Sequence, residues 1–114
     1  MTAPADFDLF TIGHSNLPAE RFAALLAGAG VTALMDVRSV PFSRRFPWFS
    51  GKRLAEQLPC DGIGYTAMGD ALGGRPSDPA LYCEGVADYE AMAARPAFRA
   101  GLEQVTAQTK HQRV

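Results

Sequence analysis

Apolar residues occur along the chain both in short uninterrupted runs and in longer stretches with helical spacing. Short runs bounded by glycine or proline are typical of buried strands. Three such runs, at residues 7–12, 31–37 and 63–67, predict three strands, the third of which is weakened by its glycines. The first run, which should form a central strand, contains Phe7, Leu9, Phe10 and Ile12.

Stretches with helical spacing lie between these strands. A helix after the first strand is predicted from one apolar face, with Ser15 or Asn16 as its cap and Pro18 in its first turn. That face consists of Phe22, Leu25, Leu26 and Ala29. Between residues 48 and 59 the spacing predicts a short helix that Ser50 caps. Its inward residues should be Leu54 and Leu58.

The second half of the chain is richer in glycine and proline. Residues 68–81 predict a long irregular loop, which we expect to carry function. A short helix is predicted at residues 88–94 with Tyr89 and Met92 inward, and a longer one begins at Pro96. The shared face of that last helix should consist of Phe98, Leu102 and Val105.

The alternation of strands and helices predicts an α/β three-layer domain with a small, mostly parallel sheet built from βαβ units. Residues 1–114 should form this single α/β domain. Three strands beside four helices make a thin sheet, and the polar turn at residues 110–113 followed by Val114 is typical of the approach to another strand. We therefore expect the domain to be truncated at its C-terminus.

Composition narrows the function classes. Eleven Lys and Arg against twelve Asp and Glu give a net charge of −1, which favours no general attraction to nucleic acid or to an anionic membrane. The chain has no apolar run of membrane-spanning length and no signal-peptide pattern, so we expect a cytoplasmic protein. Cys60 and Cys83, with His14 and His111, form no pattern of a metal site, and we expect no metal and no cofactor.

Charged side chains follow the predicted strands at the edge where ligands bind in α/β proteins. Four arginines should share that edge, and guanidinium groups match the oxygens of phosphate or carboxylate. They are Arg38, Arg44, Arg45 and Arg75. Gly73 and Gly74 would add backbone amides to an anion site. In the alternative interpretation, Arg38 pairs with Asp36 or Asp70, and Arg44 and Arg45 are solvated.

His14 and Asp36 are the candidates for catalysis. His14 follows the first predicted strand, and an unperturbed histidine titrates near pH 6.5, so it could transfer protons. Asp36 ends the second strand, where a buried carboxylate needs a cation or a hydrogen-bond donor. The alternatives are a hydrogen-bonded histidine that fixes a turn and a structural pair of Asp36 with Arg38.

Aromatic residues are dense in the loop that contains Arg44 and Arg45. Phe46 and Trp48 could stack on a nucleotide base or form a contact between subunits. Alternatively, the loop folds back and buries Phe42, Phe46, Trp48 and Phe49 as a small core.

Four sequence blocks together resemble one family, the bacterial and archaeal domain of unknown function 488. They are T-I-G-H-S-N at residues 11–16, D-V-R-S-V-P-F-S-R-R-F-P at 36–47, G-D-A-L-G-G-R-P at 69–76, and Tyr89, Met92 and Phe98. The resemblance implies a small α/β protein and places motif residues on His14, Ser15, Asp36, Arg38, Pro41, Ser43, Gly73, Gly74 and Arg75. It adds Ser15 and Ser43 to the anion-binding candidates. It also implies that relatives continue into a further strand and a Cys-His-Arg segment.

Three hypotheses of function follow. The first is an enzyme, or enzyme remnant, that acts on a phosphate-bearing or other anionic small molecule held in a pocket at the strand carboxyl ends. The second is a non-catalytic module that binds nucleotide or nucleic acid, which the net charge does not favour. The third is a structural protein whose aromatic loop makes a homodimer.

Overall fold

The computed structural model describes residues 9–114. In chain order its elements are α1 (Ala19–Gly28), β1 (Ala33–Asp36), α2 (Gly51–Gln57), β2 (Gly64–Ala67), α3 (Gly69–Leu72), β3 (Tyr82–Cys83), β4 (Val86–Ala87), α4 (Tyr89–Ala93) and α5 (Pro96–Gln108). Three short 3-10 helices lie at Pro47–Phe49, Leu58–Asp61 and Pro79–Leu81. The chain therefore folds as a mixed α/β structure.

The edge of the molecule that carries Asp36 and Arg38 is built on a pair of parallel strands. β1 pairs with β2, with Ala33 opposite Gly64 and Asp36 opposite Ala67, and α2 lies between them in sequence. The strands predicted at residues 31–37 and 63–67 are thus confirmed, as is their parallel direction. Because both strands run the same way, Asp36 at the end of β1 faces the same edge as the turn after β2.

The predicted first strand differs from the structure. Phe7 lies outside the described residues, and residues 9–12 form no strand. Phe10 donates its backbone N–H to the Val114 carbonyl at 2.9 Å, but Phe10 and Ile12 remain 47% and 41% exposed. A strand needs a ladder of such bonds, and the apolar run alone does not supply the partner.

The core lies between α1, α2 and the parallel strands. Its buried residues are Phe22, Leu26, Val31, Phe49, Leu54, Leu58 and Ile63. The inward positions predicted for Phe22, Leu26, Leu54 and Leu58 are confirmed, whereas Leu25 is half exposed. The predicted cap at Ser15 or Asn16 is wrong, because α1 begins at Ala19 with Pro18 as its N-cap and no capping side chain. Ser15 instead adopts a left-handed conformation in the preceding turn (φ 50°).

The second half is more ordered than the sequence indicates. Residues 68–81, predicted to be irregular, contain α3 and a 3-10 helix, and β3 pairs antiparallel with β4. Met92 is buried as predicted, but Tyr89 is 69% exposed and Leu102 is 46% exposed. Gly101, rather than Leu102, presents the contact face of α5, since a side-chain carbon there would lie 2.9 Å from the Ala71 methyl. None of the helices in residues 9–114 is long and apolar enough to cross a membrane.

Candidate functional site

The end of β1 carries a fully hydrogen-bonded carboxylate. Asp36 is buried, and its Oδ1 accepts from the Arg38 backbone N–H at 3.1 Å and from Arg38 Nε at 2.8 Å. Its Oδ2 accepts from Arg38 Nη2 at 2.6 Å and from the Tyr65 hydroxyl at 2.7 Å. The interpretation that pairs Arg38 with Asp36 is therefore confirmed, and the pair is a planar, bidentate one.

These contacts fix the protonation state of the cluster. Burial opposes ionisation of Asp36, but the hydrogen bonds from Arg38 and Tyr65 outweigh it and lower the pKa of Asp36 below its ordinary value of 3.8. The hydrogen bond to Asp36 raises the pKa of Arg38, and burial together with the hydrogen bond to Asp36 raises the pKa of Tyr65 to about 12. At neutral pH, the cluster holds one carboxylate, one guanidinium and one neutral phenol.

Close backbone packing lets Tyr65 reach the carboxylate from β2. The hydroxyl lies against Gly51, the first residue of α2, where a side-chain carbon would be only 2.6 Å from it. The Gly51 N–H donates to the Pro41 carbonyl at 2.8 Å, which ties α2 to the loop after β1. The start of α2 is thus shaped to leave room for the Tyr65 hydroxyl.

Arg38 also connects the strand end to the core aromatic Phe49. Its Nη2 donates to the Phe49 carbonyl at 2.7 Å. The His14 ring stacks on the Phe49 ring with centroids 4.3 Å apart. His14 Nδ1 lies 2.8 Å from the Ser15 carbonyl, and because a carbonyl only accepts, Nδ1 carries the hydrogen. In neutral His14, Nε2 is then the nitrogen with a free lone pair.

A cavity of about 190 Å³ brings the predicted catalytic residues together at this edge. Three of the residues that line it have ionisable side chains: His14, Asp36 and Arg38. Apolar side chains form the rest of the wall, among them Phe22, Leu34, Phe49 and Leu54. A larger cavity of about 530 Å³ lies against α1 and α2, with Glu20, Arg53 and Asp61 among the residues that line it, and its wall contains none of His14, Asp36 and Arg38.

The glycine-rich segment supports the Arg38 loop by direct backbone contact. A side-chain carbon at Gly69 would overlap the Arg38 carbonyl, and one at Gly73 would overlap Ser39. The Ser39 hydroxyl accepts from the Arg75 backbone N–H at 2.7 Å, and Gly73 donates its N–H to Gly69 at 2.8 Å. Of the two amides predicted to hold an anion, that of Gly73 is thus bonded within the protein, while Gly74 has open space around it.

The other predicted anion-binding residues lie away from this cavity. Ser43 accepts from the Phe46 backbone N–H at 3.0 Å and donates its own N–H to Ser50 Oγ at 3.3 Å, so it shapes a turn. Ser15 is exposed and contacts Asn16 at 3.5 Å. Arg44 and Arg75 are exposed. The structure does not place these residues on the cavity wall.

The aromatic loop packs largely against the protein itself. Trp48 Nε1 donates to the Leu17 carbonyl at 2.9 Å, and its ring lies 5.5 Å from that of Phe46. Phe46 is partly buried against the core, and Arg45 lies over its ring at 5.7 Å. Phe42, by contrast, is 63% exposed. The alternative in which this loop folds back is confirmed for Phe46 and Phe49.

Sequence reasoning missed two polar groups at this site, Tyr65 and Ser39. The only sequence feature that could have indicated Tyr65 was its phenol group, which lies in a strand expected to run parallel to β1. No local signal pointed to Ser39, because its partner Arg75 is remote in sequence. In the part of the chain that the structure describes, no group of three His, Cys, Asp or Glu residues could hold a metal ion.

Comparison with known proteins identifies one family. The family model described as Domain of unknown function DUF488 matches residues 18–114. This range includes β1, the arginine loop and the glycine-rich segment, and it begins after the block at residues 11–16. No curated protein and no solved structure matches the chain.

Proposed function

The chain belongs to the DUF488 family, and from this premise we propose that the cavity at the carboxyl end of β1 binds a small oxyanion or the anionic group of a larger molecule. One observation carries the proposal. A guanidinium fixed in place by Asp36 and a histidine with a free ring nitrogen line the same cavity.

Arg38 retains hydrogen-bonding capacity for a ligand. Its Nε and Nη2 donate to Asp36 and to the Phe49 carbonyl, and Nη1 has no hydrogen-bond partner among residues 9–114. The side chain is 27% exposed. Because the charges of Arg38 and Asp36 cancel at a distance, attraction for an anion comes from the short-range donors of Nη1. Preorganised donors of this kind lose little conformational entropy on binding.

The size of the cavity favours a small ligand. Pockets for drug-sized molecules span roughly 300–1,000 Å³. The cavity at the end of β1 has about 190 Å³, which suits phosphate, sulfate or one carboxylate better than a whole nucleotide.

The two candidate catalytic residues have different roles in this proposal. Asp36 accepts four hydrogen bonds and has a lowered pKa, so it positions Arg38 and is a poor base. His14 has a free Nε2 and lines the cavity, and we assign proton transfer to it. An enzyme with this arrangement would transfer a proton through His14 next to the anion bound by Arg38.

A thermal-unfolding titration with phosphate and sulfate tests the proposal. An anion at a hundred times its dissociation constant should add about 2.7 kcal/mol to the free energy of unfolding. Arg38→Lys, which keeps a charge but removes the planar fork, should abolish the response. His14→Phe keeps the stack on Phe49, and it should weaken the stabilisation by phosphate and sulfate because the ring nitrogen is removed.

Arg44→Ala is the matched control, because Arg44 is an exposed arginine on the same loop. Its response to phosphate should equal that of the unmodified protein. No response in the unmodified protein, or an equal loss in Arg44→Ala and Arg38→Lys, would reject the pocket as an anion site.

The nucleic-acid alternative receives less support, since Phe46 and Trp48 pack within the protein. It predicts binding to any oligonucleotide that weakens steeply with salt and is lost in Arg44→Ala or Arg45→Ala. The dimer alternative rests on the exposed side chains of Val40 and Phe42, which are 71% and 63% exposed.

A further inference from the structure

The cavity of about 530 Å³ between α1 and α2 has the size of a site for a small organic molecule, since such sites span roughly 300–1,000 Å³. All the residues that line it belong to the segments 19–27 and 48–61. Buried core side chains form its floor, and small side chains on α1 leave its space open. The floor includes Phe22, Phe49, Leu54 and Leu58, and the α1 wall includes Ala19, Ala23, Ala24 and Ala27.

The two helices that bound this cavity run in the same direction. Just before their starts, Trp48 Nε1 donates to the Leu17 carbonyl at 2.9 Å, which holds the two beginnings together. Beyond their ends, the chain enters β1 and β2, whose first residues Ala33 and Gly64 lie opposite each other. One end of the cavity therefore lies at the helix starts and the other at the helix ends. Residues 19–27 of α1 span about 12 Å between them.

The charges at the two ends of the cavity differ. Glu20 and Arg53 lie in the first turns of α1 and α2, so their opposite charges offset each other at that end. Gln57 and Asp61 lie at the other end, and of the residues that line the cavity Arg53 alone is basic. The one ion pair among residues 9–114 lies at the end of β1, so the Asp61 carboxylate has no basic partner there.

The last turn of α1 adds to the negative potential at the Asp61 end. Ala27 lies in that turn and lines the cavity, and a helix carries partial negative charge on the carbonyls of its C-terminus. A carboxylate, a side-chain amide oxygen and a helix C-terminus thus meet at one end of an apolar cavity. These groups favour a ligand that carries a positive charge at that end.

We propose that this cavity binds an organic cation with an apolar body, with its protonated amine at Asp61 and its body along the alanines of α1 toward Trp48. The floor and the alanine wall offer no polar side chains, so the body of the ligand is apolar. An amphipathic anion fits less well, because at Arg53 its charge would also lie at the end that carries Glu20. This site is separate from the proposed anion site and does not depend on it.

The fluorescence of Trp48 provides the test, because Trp48 is the single tryptophan of the chain and lines the cavity. The probe is 4-phenylbutylamine, which is protonated at neutral pH. Its matched controls have the same body with a neutral or a negative end: 4-phenylbutan-1-ol and 4-phenylbutanoate. The Trp48 side chain is 37% exposed, so a ligand that displaces water from it should shift its emission to shorter wavelength.

The amine should give a saturable shift with a dissociation constant of about 1 mM, as expected for a molecule of this size. The alcohol should bind about threefold more weakly, because Asp61 is exposed and solvent screens its attraction for the amine. The carboxylate should bind more weakly than the alcohol. In Asp61→Asn, the amine and the alcohol should bind equally well.

A second pair of variants tests the cavity itself. Ala23→Leu fills the space beside α1 and should abolish the binding of all three molecules. Ala55→Leu adds the same atoms at an exposed position of α2 outside the cavity, and it should leave binding unchanged. Asp61→Asn changes an exposed side chain, so the test of the charge stands even if Ala23→Leu fails to fold.

Three results would overturn the inference. Tightest binding of the carboxylate would place the ligand on Arg53 and make the cavity a site for an amphipathic anion. Equal binding of the amine and the alcohol to the unmodified protein, or a preference for the amine that persists in Asp61→Asn, would remove Asp61 from the site. Absence of a saturable shift with the amine would reject the cavity as a ligand site, whereas phosphate binding at the end of β1 would be unaffected.

Discussion

Arg38 and Arg44 lie on the same loop but differ in their surroundings. The Arg38 guanidinium is held by Asp36 and the Phe49 carbonyl beside a cavity, whereas Arg44 is exposed. A fixed guanidinium has already lost its side-chain entropy on folding, so it can bind an anion at a lower cost than a mobile one. The comparison shows that proximity in sequence to other arginines does not make an anion site. In the function that we propose, the carboxylate and the carbonyl that orient Arg38 make the site.

The largest effect should come from removing the charge that holds Arg38. Asp36→Asn leaves the partly buried guanidinium without its counterion, and we expect a loss of about 3 kcal/mol in the free energy of unfolding. Urea denaturation measures it, with the exposed Asp61→Asn as the control, which should change stability by less than about 0.5 kcal/mol. Equal effects of the two variants would mean that the Asp36–Arg38 pair contributes no more than a surface charge.

A smaller effect is expected from the glycines that support the loop. Gly69→Ala places a methyl group against the Arg38 carbonyl and should cost about 2 kcal/mol through overpacking. Gly74→Ala adds a methyl group in open space and should be nearly neutral. The two variants are compared by the midpoint of urea unfolding. If Gly69→Ala is as stable as Gly74→Ala, the glycine-rich segment does not set the position of the Arg38 loop.

The smallest effect concerns the Tyr65 hydroxyl. Tyr65→Phe removes one hydrogen bond to Asp36 and should cost about 1 kcal/mol at neutral pH. The pKa of Tyr65 is raised from 10.0 to about 12, so folding favours the neutral phenol. Its contribution to stability is complete below pH 10 and is lost as the pH rises toward 12.

Stability measured against pH checks this contribution. The unmodified protein should lose stability more steeply than Tyr65→Phe between pH 10 and 12. At the acid side both proteins should lose stability as the pH falls below 3.8, because the pKa of Asp36 is lowered by folding. Identical alkaline profiles would contradict the hydrogen bond between Tyr65 and Asp36.

The sequence predicted much of the edge that carries the site. Strands form at residues 33–36 and 64–67, within the predicted runs 31–37 and 63–67, and the pairing of Asp36 with Arg38 is local enough to infer from adjacency. The Tyr65 hydrogen bond and the contact of Gly69 with Arg38 depend on how remote segments pack. Periodicity contains no information about such contacts.

Two wrong predictions from the sequence, the first strand and the inward position of Tyr89, have the same physical origin. Residues 9–12 have the composition of a strand but no ladder, because a strand depends on a partner as well as on its own residues. Tyr89 has helical spacing with Met92 but is exposed, because α4 is only five residues long and buries little beyond Met92. In both places, tertiary packing outweighed the local pattern.

The most direct test of the anion site is a titration of isotopically labelled protein with inorganic phosphate, followed by the backbone amide signals of His14, Arg38, Arg44 and Arg75. We predict saturable shifts at His14 and Arg38, which line the cavity, and none at Arg44 and Arg75. The shifts should disappear in Arg38→Lys. Saturable shifts at Arg44 and Arg75 with none at His14 would contradict the account, since they would place the anion on the exposed arginines and not at the end of β1.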